Sequence, residues 1–149
     1  MVQVRASAVG DVPVEAAFRY VDDYRNVPSW MYGISKFEPS GSQITGVGAV
    51  FEATIKLGPA TLNTTVECTR WEENRLIALT SIKGFKNTST WEFAAHGDDQ
   101  VELTAVVDYE LPGGLAGRAL GKMIEPFVSI AVSHTERTLR QRMEEHHAG

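Results

Sequence analysis

The middle of the chain, from Ile34 to Glu110, contains short segments in which apolar residues alternate with polar ones. Turn-forming residues separate these segments and divide the region into about six strands joined by hairpins. In the clearest strands the apolar residues share one face, as Phe51, Ala53 and Ile55 do, and charged residues take the other. This pattern predicts an antiparallel sheet that is covered on one face only, so the rest of the chain must supply the cover.

The C-terminal segment has the pattern of that cover. Residues Leu115 to Glu145 predict one long helix, of about 45 Å at the standard rise per residue. Pro126 lies inside it and is expected to kink it or to begin a second helical piece. The apolar residues expected on its broad inner face are Leu120, Met123, Ile124, Phe127, Val128, Ala131, Leu139 and Met143.

The N-terminal segment predicts one further strand and two short helices. Residues 2–8 alternate as a strand does, and the next segment has helical spacing, with Asp11 as a candidate N-cap and Pro13 in the first turn. A second, irregular helix is expected over residues 24–31. The order of elements is therefore strand, two short helices, about six strands and one long helix. We expect an α+β fold in a single domain over residues 1–149.

Charge and cysteine content exclude several classes of protein. The chain carries a formal charge of −5, whereas a nucleic-acid-binding protein normally shows a basic patch or stripe. Cys68 is the single cysteine, so neither an intrachain disulfide nor a cysteine-based zinc site can form, and the four histidines lack the spacing of a metal site. No segment has the pattern of a secretory signal or the length of a membrane span. We expect a cytoplasmic protein without metal or cofactor.

Four short motifs, taken in their order along the chain, point to a known family. They are Asp11-Val12-Pro13-Val14, Pro28-Ser29-Trp30, Thr90-Trp91-Glu92-Phe93 and Asp108-Tyr109-Glu110-Leu111-Pro112-Gly113-Gly114. With the order of elements they resemble the START-like (SRPBCC) superfamily, and the last two resemble its polyketide cyclase/dehydrase branch. The resemblance extends from about Val2 to Glu145.

The resemblance implies a helix-grip fold, in which a seven-stranded antiparallel sheet wraps around the long C-terminal helix. Between sheet and helix, such proteins keep a deep and mainly apolar cavity. Members bind lipids, sterols, polyketides or quinone tails there, and some catalyse aromatic-ring closure or dehydration. The activity of a member depends on the residues that line its cavity.

His134 is the first candidate for chemistry. Helical periodicity places it on the face of Leu120 and Phe127, so we expect it to point towards the sheet or the cavity. There it could carry a proton or bond a ligand, because imidazole titrates near neutral pH. The alternative is a histidine that is satisfied by a neighbouring side chain.

Three polar residues share the inward parity of the apolar ones: Asn87, Ser89 and Tyr109. Polar groups on an apolar face must be hydrogen-bonded, so these could orient a ligand, or could bond one another or a trapped water. Thr64 has the same parity in a less regular strand. Cys68 is expected to be a small core residue.

Four aromatic residues are candidates for the wall of a pocket, with ordinary core packing as the alternative: Trp30, Phe51, Trp91 and Phe127. Gly113, Gly117 and Gly121 recur at the start of the long helix. They allow close packing, or they weaken the helix into a movable gate over the cavity. Hydrogen exchange as slow over residues 113–125 as in the helix centre would exclude the gate.

The residues predicted to bind ligand are therefore Trp30, Phe51, Asn87, Ser89, Trp91, Tyr109, Phe127 and His134. His134 and Tyr109 are the candidates for catalysis. The favoured function is binding or transport of a small hydrophobic molecule, such as a fatty acid, isoprenoid or polyketide. The alternatives are a polyketide cyclase or dehydratase and a coenzyme Q-binding chaperone. We expect a monomer or homodimer, with transient membrane contact at most.

Overall fold

The computed structural model describes residues 2–148, and its main element is one antiparallel sheet of seven strands. The strands are β1 (Val2–Gly10), β2 (Ile34–Pro39), β3 (Val50–Leu57), β4 (Ala60–Glu72), β5 (Leu76–Gly84), β6 (Lys86–Ala95) and β7 (Val101–Glu110). Their order across the sheet is β1-β7-β6-β5-β4-β3-β2, so that β2 to β7 form a meander and β1 pairs with the last strand. The six predicted strands between Ile34 and Glu110 are confirmed.

One face of the sheet is buried and the other is exposed, as the alternating pattern predicts. In β3, Phe51 and Ala53 are buried while Glu52 between them is exposed. In β6, Trp91 is buried and the neighbouring Glu92 is exposed. The concave face therefore carries the apolar side chains, and the helices lie against it.

Three α-helices and one 3₁₀ turn complete the fold: α1 (Val14–Asp22), the turn Tyr24–Asn26, α2 (Val27–Trp30) and α3 (Gly114–Ala148). Helix α1 begins after Pro13, and no side chain caps it. Asp11 is not its cap. The backbone N–H of Asp11 instead donates to Oε2 of Glu144 at 2.7 Å, and this hydrogen bond connects the end of β1 to the end of α3.

The long helix α3 runs through Pro126 without a break, so no second helical piece forms. Its buried residues are Gly117, Ile124, Val128, Thr135, Leu139 and Met143. Met123, which is expected on this face, is instead 41% exposed, and the apolar Ile130 is 55% exposed. Apolar residues occur all around the first half of α3, so hydrophobic periodicity alone does not determine which side faces the sheet.

The buried residues form two clusters along α3. The larger one surrounds α1, α2 and the C-terminal half of α3, and includes Phe18, Trp30 and Leu139. The smaller one lies under the N-terminal half of α3, and includes Tyr109 and Ile124. This arrangement, a sheet wrapped around a long C-terminal helix, is the helix-grip fold that the sequence resemblance implies.

Candidate functional site

A cavity of about 140 Å³ lies between the sheet and α3, within the smaller cluster. It is lined by Met31, Tyr32, Ile55, Leu57, Leu62, Phe85, Asn87, Ser89, Trp91, Val107, Tyr109, Ile124, Val128, Ala131, Val132 and Thr135. None of these lining residues carries a carboxylate, an ammonium, a guanidinium or an imidazole. The cavity is therefore an apolar space with a few neutral polar groups, and it suits an uncharged or largely apolar molecule.

Asn87 is held in the wall by hydrogen bonds that use both of its N–H donors. Its Nδ2 donates to the backbone carbonyl of Phe85 at 2.8 Å and to Oγ1 of Thr64 at 3.2 Å. Thr64 is buried, and its hydroxyl donates to the same carbonyl of Phe85 at 3.0 Å. Thr64 therefore supports Asn87 from behind the wall, and the carbonyl oxygen of Asn87 remains as an acceptor.

Asn87 and Tyr109 are direct cross-strand partners on β6 and β7, and Ser89 follows two residues after Asn87 on the same face. Within residues 2–148, no hydrogen bond engages Oδ1 of Asn87, Oγ of Ser89 or the hydroxyl of Tyr109. These three polar atoms form a group at the sheet side of the cavity. Because buried polar groups in folded proteins are normally hydrogen-bonded, the group is suited to bind a water or a polar group of a ligand.

Tyr109 is kept neutral by its surroundings. Burial in the apolar wall raises the pKa of its phenol, and the nearby carboxylate of Glu125 raises it further. The hydroxyl is therefore protonated at neutral pH and able to donate a hydrogen bond, and it is not a general base.

A second, smaller cavity of about 40 Å³ adjoins the first, and both include Met31 and Trp91 in their walls. Trp30 and Phe51, two of the predicted pocket aromatics, line this smaller cavity. The rings of Trp30 and Trp91 meet edge to face with centroids 5.1 Å apart. Trp91 therefore stands between the two spaces.

Phe127 lies in the smaller cluster but in the wall of neither cavity described above. Its ring packs against Gly58 in the tight turn between β3 and β4. Gly58 has a φ of +57°, and a Cβ at this position would collide with the ring. Phe127 thus packs the first half of α3 against the hairpin, at a position where only glycine leaves room for the ring.

The expected inward orientation of His134 is wrong. His134 is exposed, its ring packs edge to face on Tyr32 with centroids 5.2 Å apart, and its Nδ1 lies 3.3 Å from Oγ1 of Thr138. The inner face of α3 passes through Val128 and Thr135, one residue away from the predicted line. A shift of one residue turns a helical side chain by about 100°, which moves His134 out of the cavity.

Among the polar lining residues, Thr135 and Tyr32 are the two that the sequence patterns did not single out. Oγ1 of Thr135 accepts the backbone N–H of Tyr32 at 2.9 Å, which joins α3 to the segment after α2. In the sequence, Thr135 is identifiable only as a hydroxyl residue on a largely apolar helix face, and it directly follows His134, whose imidazole is the more obvious candidate for chemistry. Tyr32 lies in a short loop, where no periodicity identifies the inward side.

No group of three or more histidine, cysteine, aspartate or glutamate side chains within residues 2–148 is arranged to hold a metal ion. Cys68 is buried on β4, and burial raises the pKa of its thiol to about 11. The described side chains thus offer hydrogen bonds and apolar contact at the cavity.

Comparison with known families gives one match over nearly the whole chain. Residues 1–144 match the family described as polyketide cyclase / dehydrase and lipid transport. A search of curated protein sequences finds no significant match.

Solved structures share the fold at low sequence identity. A Thermus thermophilus protein superposes with a TM-score of 0.80 at 19% identity, over 95% of this chain and 97% of that one. The Zhui aromatase/cyclase from a Streptomyces species gives 0.82 at 11% identity, over 96% and 93%. A START superfamily protein from Mycobacterium smegmatis gives 0.76 at 16% identity, over 96% and 97%. The match over residues 1–144 shows that the chain belongs to the polyketide cyclase / dehydrase and lipid transport family.

Proposed function

We propose that this protein binds a small hydrophobic ligand that carries at least one hydrogen-bonding oxygen, in the cavity between the sheet and α3. The observation that carries the proposal is a group of three polar atoms in a mainly apolar wall, on Asn87, Ser89 and Tyr109, that have no hydrogen-bond partner within residues 2–148. Transfer of the apolar part of the ligand from water into the cavity favours binding, and hydrogen bonds between the ligand oxygen and these groups favour it further.

The cavity volume sets the size of what fits. An apolar cavity of about 150 Å³ accommodates one benzene ring, and the volume here is about 140 Å³. One ring, or one end of a longer acyl, isoprenoid or polyketide molecule, therefore fills the space. Full enclosure of a longer ligand would require α3 to move away from the sheet, or Trp91 to turn and join the two cavities.

The direct test compares two ligands of the same size, p-cresol and toluene, by calorimetry or by NMR shifts of the cavity residues. Tyr109→Phe removes one hydroxyl from the wall and leaves its shape. We expect Tyr109→Phe to weaken p-cresol about three- to tenfold, which corresponds to about 0.5–1.5 kcal/mol for one hydrogen bond, and to leave toluene unchanged.

Tyr20→Phe is the matched control, since Tyr20 is as deeply buried as Tyr109 but bonds Ser29 outside the cavity. It is expected to leave both affinities unchanged. Failure of the wild-type protein to bind either molecule, or an equal loss of p-cresol affinity in both variants, would contradict the proposed site.

An enzymatic function of the polyketide cyclase type is the second candidate. Tyr109 favours it, because a neutral phenol at an apolar wall can donate a proton to a carbonyl oxygen as a carbon–carbon bond forms. Ring closure also needs a base for the proton on carbon, and the lining residues offer none near neutral pH. The cavity therefore supports binding better than catalysis.

A synthetic poly-β-ketone thioester separates these two functions. For a binding protein we expect cyclisation at the spontaneous rate in its presence. Acceleration that is lost in Tyr109→Phe and kept in Tyr20→Phe would instead establish the cyclase. A short-chain benzoquinone, included in the same binding assay, tests the quinone-chaperone alternative.

A further inference from the structure

The loop between β2 and β3 forms one wall of the smaller cavity. Four of its residues line that cavity: Ile44, Thr45, Gly46 and Ala49. Residues 41–47 of the loop, called the lid below, are largely exposed, and Ile44 and Val47 are 48% and 61% exposed. The lid therefore lies between the smaller cavity and the solvent.

One side-chain hydrogen bond fastens the lid. Within residues 2–148, it is the single hydrogen bond from the lid to another element of the fold: Oγ1 of Thr45 donates to Oδ2 of Asp22 at 2.7 Å. The other oxygen of Asp22 accepts Nε1 of Trp71 on β4 at 2.9 Å, which fixes the carboxylate in place. Backbone hydrogen bonds to β4 begin after the lid, where the N–H of Gly48 donates to the carbonyl of Cys68 at 2.9 Å.

The lid is built to move as a unit. Nε2 of Gln43 donates to the carbonyls of Thr45 at 3.0 Å and of Val47 at 2.8 Å, which holds the turn together. Gly46 and Gly48 flank Val47 with φ values of +81° and +99°, in the region that favours glycine. Loops that open commonly rotate about a few such residues. Rotation at these two glycines would carry the lid away from Asp22.

The two ends of the interior are closed with different strength. The lid lies at the sheet edge of the β4–β5 and β6–β7 turns, and α3 begins at the opposite edge. At that opposite edge the ring of Phe127 packs on Gly58, and the buried Gly117 lies against the carbonyl of Pro112. Moving α3 would break these packed contacts. Opening the lid breaks one hydrogen bond that water can replace, so it costs less.

Two side chains separate the smaller cavity from the larger one, namely Met31 and Trp91, and each lines both. Trp91 is fixed by its edge-to-face contact with Trp30. Met31 is half-buried, and its unbranched thioether chain changes conformation easily. Movement of Met31 widens the passage between the two cavities and leaves Trp91 in place.

We propose that the lid is the port through which the ligand enters and leaves, by way of the smaller cavity, and that the hydrogen bond between Thr45 and Asp22 keeps the port closed. The inference rests on the proposed function, because it names the route to that site. Ile44 and Val47 on the lid give an entering apolar molecule its first surface of contact.

Thr45→Val tests the port, because it removes the hydroxyl and keeps the size of the side chain. We expect the association and dissociation rates of p-cresol, measured by NMR exchange, to rise together by about three- to tenfold, the effect of one hydrogen bond. The affinity should not change, since the lid is not in the wall of the larger cavity. Unchanged rates in Thr45→Val would overturn the proposal.

Two further variants serve as controls. The hydroxyl of Thr54 donates to Oδ1 of Asn63 at 2.9 Å on the outer side of the sheet, so Thr54→Val removes a similar hydrogen bond away from the interior. Gly121→Ala strengthens the start of α3. Both should exchange p-cresol at the wild-type rates. An equal rise in Thr54→Val, or slower exchange in Gly121→Ala, would overturn the proposal, because general loosening or the start of α3 would then control exchange.

Cys68 reports on the lid without any ligand, because it lines the smaller cavity beneath the lid. We expect methyl methanethiosulfonate to label Cys68 about three- to tenfold faster in Thr45→Val than in the wild type or Thr54→Val. Faster labelling in a protein that does not bind p-cresol would support the lid and overturn the ligand site. Binding of p-cresol with equal labelling in all three proteins would overturn the lid and leave the ligand site intact.

Discussion

Cys68 shows how strongly one residue's surroundings determine its chemistry. It is 3% exposed on β4, and burial raises the pKa of its thiol to about 11. Only the thiolate is reactive, and at pH 8 about one part in a thousand of such a thiol is ionised. We therefore expect no measurable labelling by iodoacetamide at pH 8 in the folded protein and complete labelling in urea. Rapid labelling without urea would show that β4 opens locally or that the site is accessible.

The residue-level predictions succeed in the strands and only in part in α3, where Ile124, Val128, Leu139 and Met143 are buried as expected but Met123 and His134 are exposed. Side chains alternate strictly between the two faces of a strand, so Trp91 alone determines the parity of Asn87 and Ser89, and the structure places all three in the cavity wall. In α3 a shift of one residue moves a side chain by about 100°, and that shift separates the expected His134 from the observed Thr135. The role of the wall residues in binding a ligand stays a prediction.

At the scale of elements, the start of α3 is determined by a close contact with the chain that precedes it. Gly117 is buried, and a Cβ on it would collide with the backbone carbonyl of Pro112. A Cβ on Gly121 would meet only Cδ1 of Leu111, the mobile end of a side chain, at 2.8 Å. Of the two interpretations of these glycines, this geometry favours close packing at Gly117. The movable gate stays a prediction.

Two alanine variants separate packing from helix propensity at these positions. Alanine in place of glycine stabilises a helix interior by about 1 kcal/mol. We expect Gly121→Ala to gain up to that amount, and Gly117→Ala to lower the free energy of unfolding by about 1–3 kcal/mol because backbone must move. Urea denaturation measures both. Equal effects at the two positions would show that the contact with Pro112 does not constrain the helix.

The sequence predicts where the strands and helices begin and end better than it predicts which side of a helix faces the sheet. The strands and the extent of α3 agree with their patterns because turns and apolar runs determine them. The rotation of α3 about its axis does not follow from composition, since Leu115, Met123 and Ile130 are apolar and exposed. Hydrophobic periodicity assumes that the solvent-facing side of a helix is polar, and the solvent-facing side of α3 is apolar at these three positions.

At the scale of the whole molecule, the two halves of α3 have different surroundings: one half packs in the larger core cluster and the other lines the cavity. The C-terminal half of α3 belongs to the larger cluster, where Leu139 is fully buried. The N-terminal half forms one wall of the cavity, where Ile124 is buried but adjoins empty space. The turns differ in charge as well: Lys56, Lys83 and Lys86 lie in or beside the hairpin turns near the cavity, whereas Glu73, Asp98 and Asp99 lie in the turns at the opposite edge.

This division predicts different costs for two substitutions that each remove three carbon atoms. Large-to-alanine changes in a core cost about 2–5 kcal/mol, and the cost rises with how tightly the removed atoms were packed. The stability lost in Leu139→Ala should be near the upper end of this range, since Leu139 is surrounded by packed residues. Ile124→Ala should cost an amount nearer the lower end of this range, because one side of Ile124 faces the cavity. Urea denaturation gives both values, and calorimetry with p-cresol and the bulkier 1-naphthol should show a relative gain for 1-naphthol in Ile124→Ala alone. The same preference in Leu139→Ala, or equal losses of stability, would show that one continuous core supports both halves.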